Sequence, residues 1–221
     1  DTTTDSGLAA FWKASPLPTI YDDCGRVGNR FSRWRFVLTQ ANMRAKLALP
    51  AGVTVTDVRI TTRMPKSGRA AAAEIALSDG RIVTHRGWDS LRTFYRPFVA
   101  TPALCGTSTI GSGFTLNNPS WFEVTRNADG TFASVTVWGG GWGHNVGMSQ
   151  YGAQGRARAN QTFMQILKAY YTSADIGSYP IDIGREKGSG GPPVLRQVFY
   201  SISTNGRLHV RNAEMRRMVV H

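Results

Sequence analysis

Charged and apolar residues alternate through Arg33-Trp34-Arg35-Phe36-Val37-Leu38-Thr39, the two-residue period of a strand with one buried face. A segment rich in Val, Ile and Thr, Val53 to Arg63, reads as a second strand, and Ala70 to Leu77 as a third despite its alanines. Ser78-Asp79-Gly80 predicts a hairpin turn into Arg81 to Arg86, and Asn127-Ala128-Asp129-Gly130 joins Trp121–Arg126 to Thr131–Trp138 in the same way. The helical period shows at Phe163, Ile166, Leu167, Tyr170 and Tyr171, spaced i, i+3, i+4, i+7, i+8. Shorter helices are predicted from Asn42 to Leu49, stopped by Pro50, and from Trp88 to Tyr95, ending before Pro97. Residues 1–32, with Pro16, Pro18, Gly25 and Gly28 among short apolar groups, predict irregular structure wrapped on a core. Residues 99–119 predict loop around a short strand at Gly113 to Leu116.

These elements add up to a β-rich α+β fold with antiparallel hairpins and one or two helices. The expected organisation is a domain over 1–187, a Gly/Pro linker at 188–193 (Gly188-Ser189-Gly190-Gly191-Pro192-Pro193) and a C-terminal hairpin extension over 194–221 around Asn205-Gly206. No run approaches the roughly 18 apolar residues of a membrane span. With 26 Lys and Arg against 14 Asp and Glu the net charge is +12, which suits an anionic partner without choosing one. Nucleic acid is disfavoured as that partner, because the basic residues are dispersed and no helix-turn-helix, zinc-finger or RNA-binding pattern occurs. The two cysteines, Cys24 and Cys105, lack metal-ligand spacing, so neither a metal nor another cofactor is expected. In an exported protein they would pair; in a reducing compartment they would be buried thiols.

The chemistry concentrates in Gly139 to Gly155, where seven of seventeen residues are glycine and Trp142, His144, Ser149, Gln150 and Tyr151 stand among them. Here a strand hands over to helix. Two readings are open. Glycine can let a ligand approach backbone N–H groups closely. Alternatively Met148, Tyr151, Gly152 and Gly155, which share a helical face, make a tight helix-to-sheet contact with His144 as a structural histidine.

The run Gly141-Trp142-Gly143-His144-Asn145-Val146-Gly147-Met148-Ser149-Gln150-Tyr151-Gly152-Ala153 resembles the signature of the SpoIID/LytB domain, usually GWGHGVGMSQYGA, with Asn145 in place of a glycine. Gln165-Ile166-Leu167-Lys168-Ala169-Tyr170-Tyr171 is similar to the continuation in that family, and Arg63 to Arg69, Ser78-Asp79-Gly80 and Arg86-Gly87 are similar to its central region. The resemblance implies a secreted or cell-envelope protein whose partner is the glycan strand of peptidoglycan. His144, Ser149, Gln150 and Tyr151 become candidate substrate contacts, with Ser67, Gly68 and Arg69 as a second group. It favours pairing of Cys24 with Cys105.

Family members of the SpoIID kind are lytic transglycosylases in which a Glu serves as general acid and then base, while LytB-like relatives enhance a cell-wall amidase. That Glu belongs to an N-terminal segment with no counterpart between Asp1 and His221, so the resemblance places it upstream of Asp1 and implies no catalytic residue within the chain. The opening Asp1-Thr2-Thr3-Thr4 accordingly reads as the middle of a longer precursor, whose N-terminal fragment, or a neighbouring envelope protein, is a candidate partner. Glu74 and Glu123 are read as exposed or ion-paired structural carboxylates. The alternative to a processed enzyme is a non-catalytic wall-binding, structural or amidase-enhancer module.

Overall fold

The computed structural model describes residues 4–14, 20–104, 107–143 and 147–172, and the backbone of 198–202 and 208–212. The chain divides into two compact units, Asp1–Asn160 and Gln161–His221. In the first, β1 (Trp34–Thr39) runs antiparallel to β8 (Phe132–Gly139), which also pairs with β7 (Trp121–Arg126), so the sheet order is β1-β8-β7. The alternation read from the sequence is obeyed: Trp34, Phe36 and Leu38 are buried while Arg35, Val37 and Thr39 are exposed. As the central strand, β8 buries Val135, Val137 and Trp138. A second antiparallel sheet has the order β2-β3-β4, formed by Val55–Arg63, Ala70–Leu77 and Ile82–Arg86. Its central strand buries Ala70, Ala72, Ala73, Ile75 and Leu77, so packing overrides the weak strand propensity of alanine.

β2 packs on β7 and β8, and the core between the sheets gathers Leu38, Met43, Val58, Ile75, Val135 and Val137. The core is closed by α3 (Gln40–Leu47) and α4 (Trp88–Phe94), which contribute Met43 and Leu91. A capping box of Thr39 and Asn42 starts α3, which stops at Ala48 in the left-handed region, two residues ahead of Pro50. The α+β, β-rich expectation therefore holds, and among the described residues no helix is long and apolar enough to cross a membrane.

Two local expectations fail. Residues 1–32 are not wholly irregular: α1 (Asp5–Lys13) is capped by Thr4 and buries Leu8 and Trp12, one helical turn apart. It packs on β7 and β8, and a four-residue helix, α2 (Cys24–Val27), follows with Asp23 as its cap. The strand expected at Gly113 to Leu116 is absent. A short pair, β5 (Thr101–Pro102) with β6 (Thr109–Ile110), forms instead, and Gly113 turns the chain at φ +69°.

α5 (Gln150–Arg158) ends the first unit. In the second unit, α6 (Phe163–Tyr170) begins at a capping box of Thr162 and Gln165, and β9 (Val198–Ile202) pairs antiparallel with β10 (Leu208–Asn212). The predicted helix and hairpin are both present; the turn Asn205-Gly206 and the linker at 188–193 lie outside the described residues.

Candidate functional site: the glycine turn between β8 and α5

β8 runs out into Gly139-Gly140-Gly141, and each glycine there has a separate steric cause. A Cβ on Gly139 would enter the indole of Trp34, and one on Gly140 would meet the carbonyl oxygen of Ser32. At Gly141, φ is +81° and a Cβ would stand 2.6 Å from Asn117 Nδ2. The polar atoms are consumed as well. The N–H of Gly141 donates to the Phe31 carbonyl, Trp34 Nε1 donates to the Gly141 carbonyl at 3.0 Å, and Arg69 Nη1 donates to the Gly140 carbonyl at 2.7 Å. This half of the stretch is scaffold, and the Gly141 N–H is not available to hold a ligand oxygen.

Arg69 thereby joins two sequence groups that stand 71 positions apart. It also donates to the Asn118 carbonyl at 3.4 Å and lies 4.8 Å over the Trp12 ring. Arg33 covers the same ring at 4.8 Å and donates to the carbonyls of Ser32 at 2.7 Å and Phe11 at 3.4 Å. Burial, and then the neighbouring Arg33 charge, pull the Arg69 pKa down to about 10, which still leaves it a cation at neutral pH. Arg33 is likewise lowered by burial, partly offset by Asp22 and Asp23. The two guanidiniums are tolerated because carbonyls and an aromatic face solvate them in place of water. Nothing local in the sequence places Trp12 or Arg33 in this arrangement; the Leu8/Trp12 spacing behind Thr4 is the signal of the helix that carries Trp12.

Gly68 sits at φ +63°, and an added Cβ would push on Leu8 Cδ2 2.6 Å away; Arg63 Nη1 donates to its carbonyl at 2.8 Å. Ser67 is exposed, with its Oγ 3.4 Å from the Arg69 N–H. His144 lies outside the described residues. Ser149 caps α5, its Oγ accepting from the Gly152 N–H at 3.0 Å, and Gln150 and Tyr151 form the exposed first turn. α5 rests on α2 rather than on a sheet: a Cβ on Gly155 would meet the Tyr21 carbonyl, and Arg156 lies 4.3 Å over the Tyr21 ring. The close approach foreseen for these glycines is real, but its partner is the Tyr21 loop.

Past Gly141 the stretch opens. Trp142 is 61% exposed, and its ring lies 5.4 Å from Phe31 and 5.7 Å from Phe114, which stack on each other at 5.5 Å. Met148 and Tyr151 are also exposed. Glu74 and Glu123 are ion-paired, as their sequence context suggests: Glu74 meets Arg59 at 2.8 Å, and Glu123 meets Lys13 at 2.9 Å. The Lys13 hydrogen bond holds Glu123 below the usual carboxylate range, the wrong direction for a general acid. Among the described residues no group of three or more His, Cys, Asp or Glu is arranged to hold a metal. A hollow of about 790 Å³ lies at the other end of β8 beside Arg126 and Asp129 and includes no candidate residue. There Arg126 donates to the Thr56 and Gly130 carbonyls, and Asn127, Asp129 and Thr131 are bonded to one another. Cys24 opens α2; Cys105 lies outside the described residues.

A β-rich α+β domain whose glycine turn is bolted to the core on one side and open on the other is thus the class of protein defined. Comparison with known proteins adds that the chain is 50% identical over 47 residues to the amidase enhancer of Bacillus subtilis, a stretch covering 21% of this chain and 7% of that one. It is 44% identical over 59 residues to stage II sporulation protein D of B. subtilis (27% of this chain, 16% of the relative). For stage II sporulation protein D of Bacillus amyloliquefaciens the figures are 42% over 55 residues, 25% and 15%. No family model matches the chain. The similarity to SpoIID/LytB-type proteins is thus shown over about a quarter of the chain, and the aligned stretches span no more than 16% of these relatives' lengths.

Proposed function

We propose that this chain is a SpoIID-like protein of the cell envelope that holds glycan strands of peptidoglycan along the open half of its glycine turn. The observation that supports this most is the bond from Arg69 to Gly140, which draws the Ser67-Gly68-Arg69 group onto the segment leading to Trp142. The similarity to an amidase enhancer and to sporulation proteins, and the +12 charge, point the same way. Gln150 and Tyr151 are the proposed contacts, with His144 and Ser149 shaping the turn between them. Cutting of the strand, as in a lytic transglycosylase, would fall to a carboxyl outside the described residues. The ion-paired state of Glu74 and Glu123 equally favours a second reading, a non-catalytic wall-binding or amidase-enhancer module. A neighbouring envelope protein or an N-terminal fragment of the same precursor is a compatible partner. In an oxidising envelope Cys24 and Cys105 pair, which a peptide map under non-reducing conditions would show as one linked peptide.

Co-sedimentation with purified peptidoglycan tests the reading. The wild type should pellet with the wall at low salt and in part at physiological salt, and a Gln150→Ala, Tyr151→Ala variant should stay in the supernatant. Equal retention of that variant would remove these residues as the binding surface; no retention of the wild type would remove the function.

A further inference from the structure

β4 ends the second sheet with an open margin. It pairs with β3 on one side, while β2, at the far margin, is turned toward β7 and β8. The register of β3 with β4 is unbroken, from Ala76 opposite Ile82 to Ala72 opposite Arg86. Bonds from the Leu77 N–H to the Arg81 carbonyl and from the Gly87 N–H to the Ala71 carbonyl fix its phase. Bonded pairs recur at every second residue of an antiparallel ladder, so Val83 and His85 spend their main-chain groups on β3. The N–H and carbonyl groups of Ile82, Thr84 and Arg86 therefore point away from the sheet. All three residues are exposed, and among the described residues no hydrogen bond or ion pair meets them at this margin. Val83 packs on the core and His85 stacks on Phe94 at 4.1 Å, which puts the Ile82, Thr84 and Arg86 side chains on the outer face. Edge strands are ordinarily blunted by proline, a bulge or lysine, and β4 has none of these.

We infer that β4 pairs antiparallel with β4 of a second copy about a two-fold axis at Thr84, joining two three-stranded sheets into one. In that register Thr84 faces the partner's Thr84, and Ile82 faces the partner's Arg86. The outward N–H and carbonyl groups at 82, 84 and 86 of each copy then meet as bonded pairs. Ile82, 57% exposed in the single chain, is covered by the methylene stem of the partner's Arg86. The two Arg86 guanidiniums stand at opposite ends of the strand pair, roughly 14 Å apart along it and beyond a screening length of about 10 Å. The neighbouring registers are worse. Pairing centred on Arg86 sets like charges face to face, and pairing centred on Ile82 runs into the Ser78-Asp79-Gly80 turn. The edge is thus self-complementary in charge and hydrogen bonding, which is what selects a second copy as its occupant. A pair of five-residue strands buries less than the roughly 1,200 Å² of a standard interface, so the association is weak and concentration-dependent. It is independent of what the glycine turn binds.

Sedimentation velocity on the full chain at physiological salt, over about 5 to 500 μM, tests the pairing. The weight-average mass should climb from that of the monomer toward twice that value across the series. Thr84→Pro removes an N–H that bonds nothing within the sheet, so it should keep the wild-type thermal melt and abolish the climb. Ile82→Lys sets a lysine opposite the partner's Arg86 and should weaken association about tenfold. Adding Arg86→Glu to Ile82→Lys faces each introduced lysine with an introduced glutamate across the axis and should restore it. This swap keeps the test decisive even where Thr84→Pro disturbs the fold, because both of its positions lie on the exposed face. A wild type that stays monomeric at the highest concentration would overturn the proposal and leave the margin to a foreign strand. So would a dimer untouched by Ile82→Lys. A double variant no stronger than Ile82→Lys alone would overturn the register centred on Thr84.

Discussion

The two parts of the glycine stretch, 139–141 and 142–151, are continuous in sequence and do opposite things. In the first half every added Cβ collides with the core, and the carbonyls of Gly140 and Gly141 are bonded to Arg69 and Trp34. In the second half Gly143 has nothing within 4 Å of an added Cβ, and Trp142, Met148 and Tyr151 face solvent. Glycine in the first half is required by crowding, while in the second it leaves the aromatic residues uncovered. Counting glycines therefore does not locate a binding surface. What separates the halves is whether the backbone's hydrogen-bonding groups are already spent.

Substitutions can pull the two halves apart. The largest effect should come from Gly140→Ala, which forces a methyl group onto the Ser32 carbonyl and the Trp12 ring. A loss of about 3 kcal/mol, read as a melting temperature lower by roughly 6–12 °C, is expected. A melt within 2 °C of wild type would show that this half is not closed. Next is Arg69→Met, which keeps the stem but leaves the Gly140 carbonyl without its donor. It should cost about 2 kcal/mol in urea unfolding.

Smaller again is Ser149→Ala, at about 1 kcal/mol for the lost helix cap, with Ser149→Asp regaining most of it. If Ser149→Asp restores stability and peptidoglycan binding together, the residue acts as a cap alone. The smallest stability change belongs to Tyr151→Ala, within about 0.5 kcal/mol, yet this variant should lose retention on peptidoglycan. A variant that is markedly destabilised but still pelleted would reverse the assignment of Tyr151 to the open half.

How much of this was legible beforehand follows the range of the interactions. The alternation from Arg33 to Thr39, and the turns at Ser78-Asp79-Gly80 and Asn127–Gly130, are local signals, and β1, β3, β4, β7 and β8 appear where they point. α1 was hidden because Gly7 and the prolines beyond it masked a single buried turn, Leu8 to Trp12. Ser67-Gly68-Arg69 and the glycine turn are both marked by local motifs, but nothing local announces that Arg69 reaches Gly140 or that two guanidiniums lie over Trp12. Gly155 was expected against a sheet; helical spacing identifies a close-packed face without saying what covers it, and the cover is Tyr21.

Of the six tryptophans, Trp142 alone is in the exposed class; Trp12, Trp34 and Trp138 are buried, and Trp88 and Trp121 half-buried. The protein therefore carries a native optical reporter in the open half of the turn. Aqueous quenchers such as iodide should remove the red-edge emission of Trp142 first and leave the blue emission of the core, and the net charge of +12 should draw the anion in. A molecule settling on that indole would announce itself as protection from quenching, with no label attached.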